Sequence, residues 1–197
     1  MLNFSIHFHS LKQNDSETIF EDDTLTVRTL PLDHKIPTCG FLFSEKPKSL
    51  RIDKAKLPKE ILIPHIAKLK MGQDVLDENG KVLYRSQDHT LPARASYVYA
   101  YCSDTQPTEA ILPLIEGVDL LYHEATFLED EKEKARETKH STAAEAAGVA
   151  KQCHARKLII GHFSARYKDL DPVLAEAIRI FPDTKLASEG ETFELTE

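Results

Sequence analysis

The chain has no apolar run near the ~20 residues that a bilayer-spanning helix needs, no Cys-x-x-Cys pair and no excess of positive charge. A membrane-spanning helix is therefore not expected, and neither is a zinc ribbon. Its three cysteines, Cys39, Cys102 and Cys153, are odd in number and far apart, which argues against a disulfide framework and suits a reducing cytoplasm. Cys102 and Cys153 sit in apolar settings and read as packing residues. The opening Met1-Leu2-Asn3-Phe4-Ser5 lacks a basic stretch followed by an apolar one, so no secretory leader is expected. A net charge of −7 argues against a surface coated for non-specific nucleic-acid binding. Internal repeats and low-complexity tracts are also missing. What is present, 41% hydrophobic residues in 197, suffices for a core.

The patterning predicts strands over 4–9 and 17–30, the second broken into a hairpin at Asp22-Asp23, and a short strand at Gly40–Phe43. Residues 45–92 lose periodicity and are punctuated by Pro47, Pro58, Pro64 and Pro92. Within them only 61–71 reads as helix, and Asp77-Glu78-Asn79-Gly80 reads as a hairpin turn. From residue 96 the pattern alternates: strands over 96–102, 118–122 and 157–161, and helices over about 107–116, 142–154 and 172–180. Thr142 to Glu145 spells a capping box, and Asp171-Pro172 is expected as N-cap and first helical residue. Short strands at 185–187 and 192–195 close the reading. Such alternation predicts an α/β (α+β) sheet flanked by helices.

Three apolar runs stop at a metal-binding or ionisable residue: 97–102 before Asp104, 118–122 before His123, and 158–160 before His162. A buried strand that ends this way projects the side chain from the rim of a sheet. Plain alternatives stand beside each candidate: a turn or cap for Asp104 and Glu124, a loop histidine for His34 and His140, and a packed core histidine for His162. The segment Lys46–Lys70 is rich in lysine, with only Asp53 and Glu60 opposing. It is either a phosphate contact or a solvated face.

Five segments in order resemble ribonuclease Z, a zinc-dependent nuclease family of the metallo-β-lactamase superfamily that trims the 3′ end of precursor tRNA. They are Leu32-Asp33-His34 ahead of Gly40-Phe41, Cys102-Ser103-Asp104-Thr105, His123-Glu124-Ala125-Thr126, His140-Ser141-Thr142, and His162-Phe163-Ser164-Ala165-Arg166-Tyr167. The resemblance covers nearly all of residues 30–195. It implies the C-terminal part of an αββα sandwich spanning 1–197, with 45–92 as an inserted protruding arm that grips tRNA through residues such as Lys68 and Lys70. It further implies two zinc ions, with His34 serving one, His162 the other and Asp104 bridging both. Glu124 would orient His140, which donates a proton to the leaving oxygen. Ser164 and Arg166 would hold phosphate, while Tyr167 packs. The implied partner is precursor tRNA. Other readings are a superfamily hydrolase acting on small phosphodiesters or esters, and a non-catalytic tRNA-binding piece.

Two departures qualify these expectations. The family's His-x-His-x-Asp-His motif, the source of four further metal ligands, is missing; His7-Phe8-His9 continues with Leu11 and Lys12 and reads as alternating strand residues. The 61–72 stretch also lacks the Gly-Pro pair common in the family's arm. With three of seven ligands, the chain alone is expected to hold zinc weakly and to be inactive. It is expected to associate with an N-terminal half or to dimerise through uncovered sheet surface.

Overall fold

The computed structural model describes residues 4–11 and 15–195. In chain order the elements are β1 (Thr18–Glu21), β2 (Leu25–Pro31), β3 (Cys39–Glu45), β4 (Arg51–Ile52), α1 (Ile63–Lys70), β5 (Val75–Leu76), β6 (Val82–Tyr84), α2 (Ser86–His89), β7 (Thr90–Leu91), β8 (Val98–Cys102), β9 (Leu120–Glu124), α3 (Lys132–Thr138), α4 (Ala143–Gln152), β10 (Leu158–Gly161), α5 (Asp171–Ile178) and β11 (Thr184–Leu186). They fall into two compact units, one made of residues up to Ser44 with those from Tyr97 onward, the other of Glu45–Ser96.

The first unit is built on a seven-stranded sheet in the order β1-β2-β3-β8-β9-β10-β11. Its β1/β2 and β3/β8 pairs are antiparallel, whereas β8, β9, β10 and β11 run parallel. Alternation sorts the side chains by face. Leu42, Ala100, Cys102, Leu121 and Ile160 are buried in one core with α4 and α5 residues. Phe41, Phe43, Tyr99, Tyr101 and Tyr122 are half-buried; Tyr101 stacks on Tyr122 with ring centroids 4.6 Å apart, Phe43 on Tyr99 at 5.6 Å, and Phe41 meets Phe43 at a tilt. Burial pushes the phenols of Tyr99 and Tyr122 up to about 12. Gly40 is required where β3 meets β8, because a Cβ there would lie 2.5 Å from the Tyr101 carbonyl oxygen.

The capping box forms as the sequence predicts. Thr142 Oγ accepts from the Glu145 amide at 3.1 Å, and Glu145 Oε2 accepts from the Thr142 amide at 3.0 Å. Small residues Ala143, Ala146, Ala147 and Ala150 then let α4 lie close on the sheet.

Several expectations change. Residues 4–9 form no strand, and Phe4, Ile6 and Phe8 are exposed. The expected helix at 107–116 is a 3-10 helix over Glu109–Leu114, because Pro113 brings no amide to an α-helical bond. Leu170, not Asp171, is the N-cap of α5. No strand forms at 192–195. The strand expected to stop at Tyr122 runs on to Glu124, which turns His123 inward rather than to the rim. It is fully buried.

In the second unit α1 starts with Pro64 in its first turn and closes at Gly72, whose φ of +78° suits glycine. The β5/β6 hairpin turns through Gly80, and β4 pairs with β7, a short ladder without a sequence signal.

Candidate metal centre and proton-donor site

Parallel pairing of β8, β9 and β10 brings their C-terminal ends to one edge of the sheet. Asp104, Glu124 and His162 therefore converge although 58 positions separate the outer two in sequence (162 − 104). Three residues at this edge, Asp104, Lys139 and His162, adopt left-handed backbone at φ of +56°, +57° and +59°. Each costs about 1–2 kcal/mol for a non-glycine residue, a strain that marks over-determined positions.

Glu124 is the hub. It is fully buried, and four donors fill its carboxylate. Oε1 accepts from the Thr105 amide at 2.6 Å and from His140 Nδ1 at 2.8 Å. Oε2 accepts from Thr126 Oγ at 2.6 Å and from the Ser141 amide at 3.1 Å. Ser141 Oγ also donates to the Thr105 carbonyl at 2.8 Å, closing the ring of loops around it.

A second pin joins the His34 loop to the His140 loop. Asp33 accepts from Lys139 Nζ at 2.7 Å and from Gln106 Nε2 at 2.6 Å. These two donors, Lys139 first, hold its carboxyl below the usual carboxylate range despite burial. His34 Nδ1 lies 2.9 Å from the Lys139 carbonyl, which can only accept, so the ring proton sits on Nδ1. The carboxylate beside His140 Nδ1 fixes that ring the same way. Both imidazoles thus keep their Nε2 lone pairs free for the cleft.

Ligand atoms of His34, Asp104 and His140 lie within 4.8 Å of one another, and His162 Nε2 is 3.4 Å from Asp104 Oδ1. The rings of His34 and His140 are 4.8 Å apart, those of His140 and His162 5.3 Å. Imidazole nitrogens held by carbonyl and carboxylate partners, facing a half-exposed carboxylate, are a donor set that fits a divalent cation such as zinc. Glu124, His140 and His162 form a second close group. Its carboxylate is already saturated by protein donors, so it fits proton handling better than ligation.

His34, Asp104, Glu124, His140 and His162 therefore come together. Ser164 and Arg166 follow His162 directly: Arg166 Nε donates to Ser164 Oγ at 3.1 Å, Nη1 sits 3.1 Å from Glu131 Oε1, and the guanidinium lies 5.2 Å from the centre of the Phe127 ring. Tyr167 packs, its hydroxyl accepting from the Leu128 amide at 3.0 Å. Lys68 and Lys70 are exposed in the last turn of α1, in the Glu45–Ser96 unit. Sequence reasoning missed Asp33, Thr105, Thr126, Lys139 and Ser141. Each stands within two residues of a candidate, which is the one signal that could have found them.

No protein-family model matches the chain. Over all of its length it is 48% identical to a ribonuclease Z of Cytophaga hutchinsonii, of which it covers 63%. It is 43% identical over 190 residues, 96% of the chain, to a ribonuclease Z of Parabacteroides distasonis, of which it covers 62%. The chain thus spans about three-fifths of the length of these curated relatives. Among solved structures, the short form of human tRNase Z matches with a TM-score of 0.55 at 23% identity, covering 93% of this chain and 48% of that one. A metallo-β-lactamase fold protein of Bacillus subtilis, YhfI, matches with a TM-score of 0.57 at 17% identity, covering 93% of this chain and 54% of its own. These two likenesses establish the metallo-β-lactamase fold.

Proposed function

We propose, from the premise that this chain is a ribonuclease Z homologue of metallo-β-lactamase fold, that the protein is a zinc-dependent endoribonuclease that removes the 3′ trailer of precursor tRNA in the cytoplasm. The observation that carries the reading is the saturated Glu124 carboxylate, which holds His140 by Nδ1 and aims its Nε2 into a cleft shared with His34, Asp104 and His162. No helix among the described residues is long and apolar enough to cross a membrane. The three cysteines are free, in keeping with a reducing compartment.

His34, Asp104 and His162 would hold the metal, with Asp104 shared. When bound, two such ions supply hydroxide near neutral pH and neutralise phosphate oxygens. Glu124 orients His140 so that Nε2, once it has taken up a proton from solvent, offers that proton to the leaving 3′ oxygen, a poor leaving group that benefits from a donor. Arg166 offers the phosphate two parallel N–H donors once it releases Glu131 and Ser164. The Glu45–Ser96 unit, with Lys68 and Lys70 exposed, would serve as the arm that contacts the tRNA backbone.

The test is cleavage of a precursor tRNA by a protein of the relatives' full length that carries this chain, as wild type and as His140→Ala and Asp104→Ala. Cleavage lost in both variants, with tRNA binding retained, supports the assignment. Turnover surviving Asp104→Ala sinks it. Hydrolysis of a small chromogenic phosphodiester without tRNA cleavage would favour a different superfamily hydrolase, and tRNA binding without cleavage a non-catalytic piece. For the chain by itself, three proposed ligands give each of two ions only two protein donors. Zinc should therefore be lost on dialysis against a chelator. Two ions retained per chain would contradict that count.

A further inference from the structure

We infer that Thr126 is a positioning residue: its hydroxyl fixes the ring tautomer of His162 and ties that ring to the same carboxylate that holds His140. The Thr126 side chain is buried between the two. Its Oγ lies 2.6 Å from Glu124 Oε2, 3.0 Å from the His162 carbonyl and 2.8 Å from His162 Nδ1.

The directions of these bonds follow from what each atom can do. A carboxylate oxygen and a carbonyl oxygen only accept, so a hydroxyl proton aimed at the ring would leave both O···O contacts with no proton between them, and the proton lies instead in the shorter one, to Glu124 at 2.6 Å. The hydroxyl then has only lone pairs to offer the imidazole. If the ring nitrogen were itself an acceptor, two lone pairs would face each other at hydrogen-bond distance. His162 Nδ1 must therefore carry the proton. Its Nε2 is left with a free lone pair, 3.4 Å from Asp104 Oδ1.

His34 and His140 reach the same state through a backbone carbonyl and a carboxylate. His162 has neither beside Nδ1, and the threonine hydroxyl does that work. The left-handed backbone of His162 brings its ring and its own carbonyl to one hydroxyl. Glu124 is consequently shared: one oxygen orients His140 directly, and the other orients His162 through one intervening hydroxyl. The ligand role of His162 rests on the function proposed above. The tautomer itself rests on the hydrogen bonds alone.

The experiment is two-bond proton–nitrogen NMR of the full chain labelled with nitrogen-15 histidine, above the pH range in which histidine titrates, with the His162 signals assigned by their loss in His162→Gln. The wild type should show His162 as the Nδ1–H form; an Nε2–H form in the wild type overturns the inference without any variant. Thr126→Val keeps the shape and removes the hydroxyl. It should lower the Nδ1–H to Nε2–H ratio of His162 roughly fivefold, and Thr126→Ser should restore it. An unchanged ratio in Thr126→Val overturns the inference. Zinc chloride titrated alone into the same samples separates the two claims. Affinity falling roughly tenfold in Thr126→Val and recovering in Thr126→Ser supports both. A changed tautomer with unchanged zinc affinity supports the role of Thr126 and overturns that of His162 as a ligand.

Discussion

Replacing Glu124 with glutamine tests whether its carboxylate organises the site. The two side chains have nearly the same shape, so the difference is confined to hydrogen bonding. Oε1 faces the Thr105 amide and His140 Nδ1, and Oε2 faces Thr126 Oγ and the Ser141 amide. A glutamine presents one acceptor and one NH2. The Thr126 hydroxyl can rotate to accept from that NH2, and His140 can change tautomer to do so. A backbone amide can do neither. In one orientation of the glutamine Thr105 N–H faces the NH2, and in the other Ser141 N–H does, so one buried amide loses its acceptor either way. That costs about 1–3 kcal/mol. Glu124→Ala strands all four donors and should cost about 3–5 kcal/mol. With a urea slope of about 2 kcal/mol/M, Glu124→Gln moves the unfolding midpoint down by about 1 M. A glutamine variant that unfolds at the wild-type midpoint would refute the four-donor account, because no orientation of the amide satisfies both backbone groups.

Other outcomes follow from the same fold. His123 is fully buried, and burial pushes its imidazole down from 6.5, so the native state takes up a proton less readily than the unfolded one. Stability should be complete above the ordinary histidine range and fall as pH drops below 6.5, and His123→Leu should flatten that acid limb in urea midpoints measured against pH. Gly40→Ala should destabilise by about 1–3 kcal/mol, since its Cβ would press on the Tyr101 backbone oxygen rather than on a movable side chain; a thermal scan reads the loss. Lys68→Ala with Lys70→Ala should weaken tRNA binding and lower the slope of log K against log salt by roughly 1.8 if both touch phosphate. An unchanged slope removes them from the interface.

How much of the site could be read from sequence depends on the range of each contact. The capping box at Thr142–Glu145 was legible because its two halves lie three residues apart and fix each other. The parallel strands were legible from their apolar runs, and with them the edge where Asp104, Glu124 and His162 gather. His123 was misplaced because an apolar run carries no mark of where its ladder stops. Two more residues paired with β10, and that reversed which way the histidine pointed. The Asp33–Lys139 pin spans 106 positions, and neither residue carries a local signal for it. Residues 4–9 alternate like a strand, yet pattern supplies only a side-chain preference; the ladder partner must come from elsewhere, and β1 pairs with β2 instead.

Lys139 pulls in two directions. Its backbone ends α3 in a left-handed turn that glycine would enter without strain, while its ammonium holds Asp33 and its carbonyl holds His34. Selection for thermal robustness alone should therefore drift toward glycine at this position, and selection for turnover should hold the lysine. A library sorted separately on the two traits would diverge at this residue before most others, making it a natural gauge of which pressure dominated.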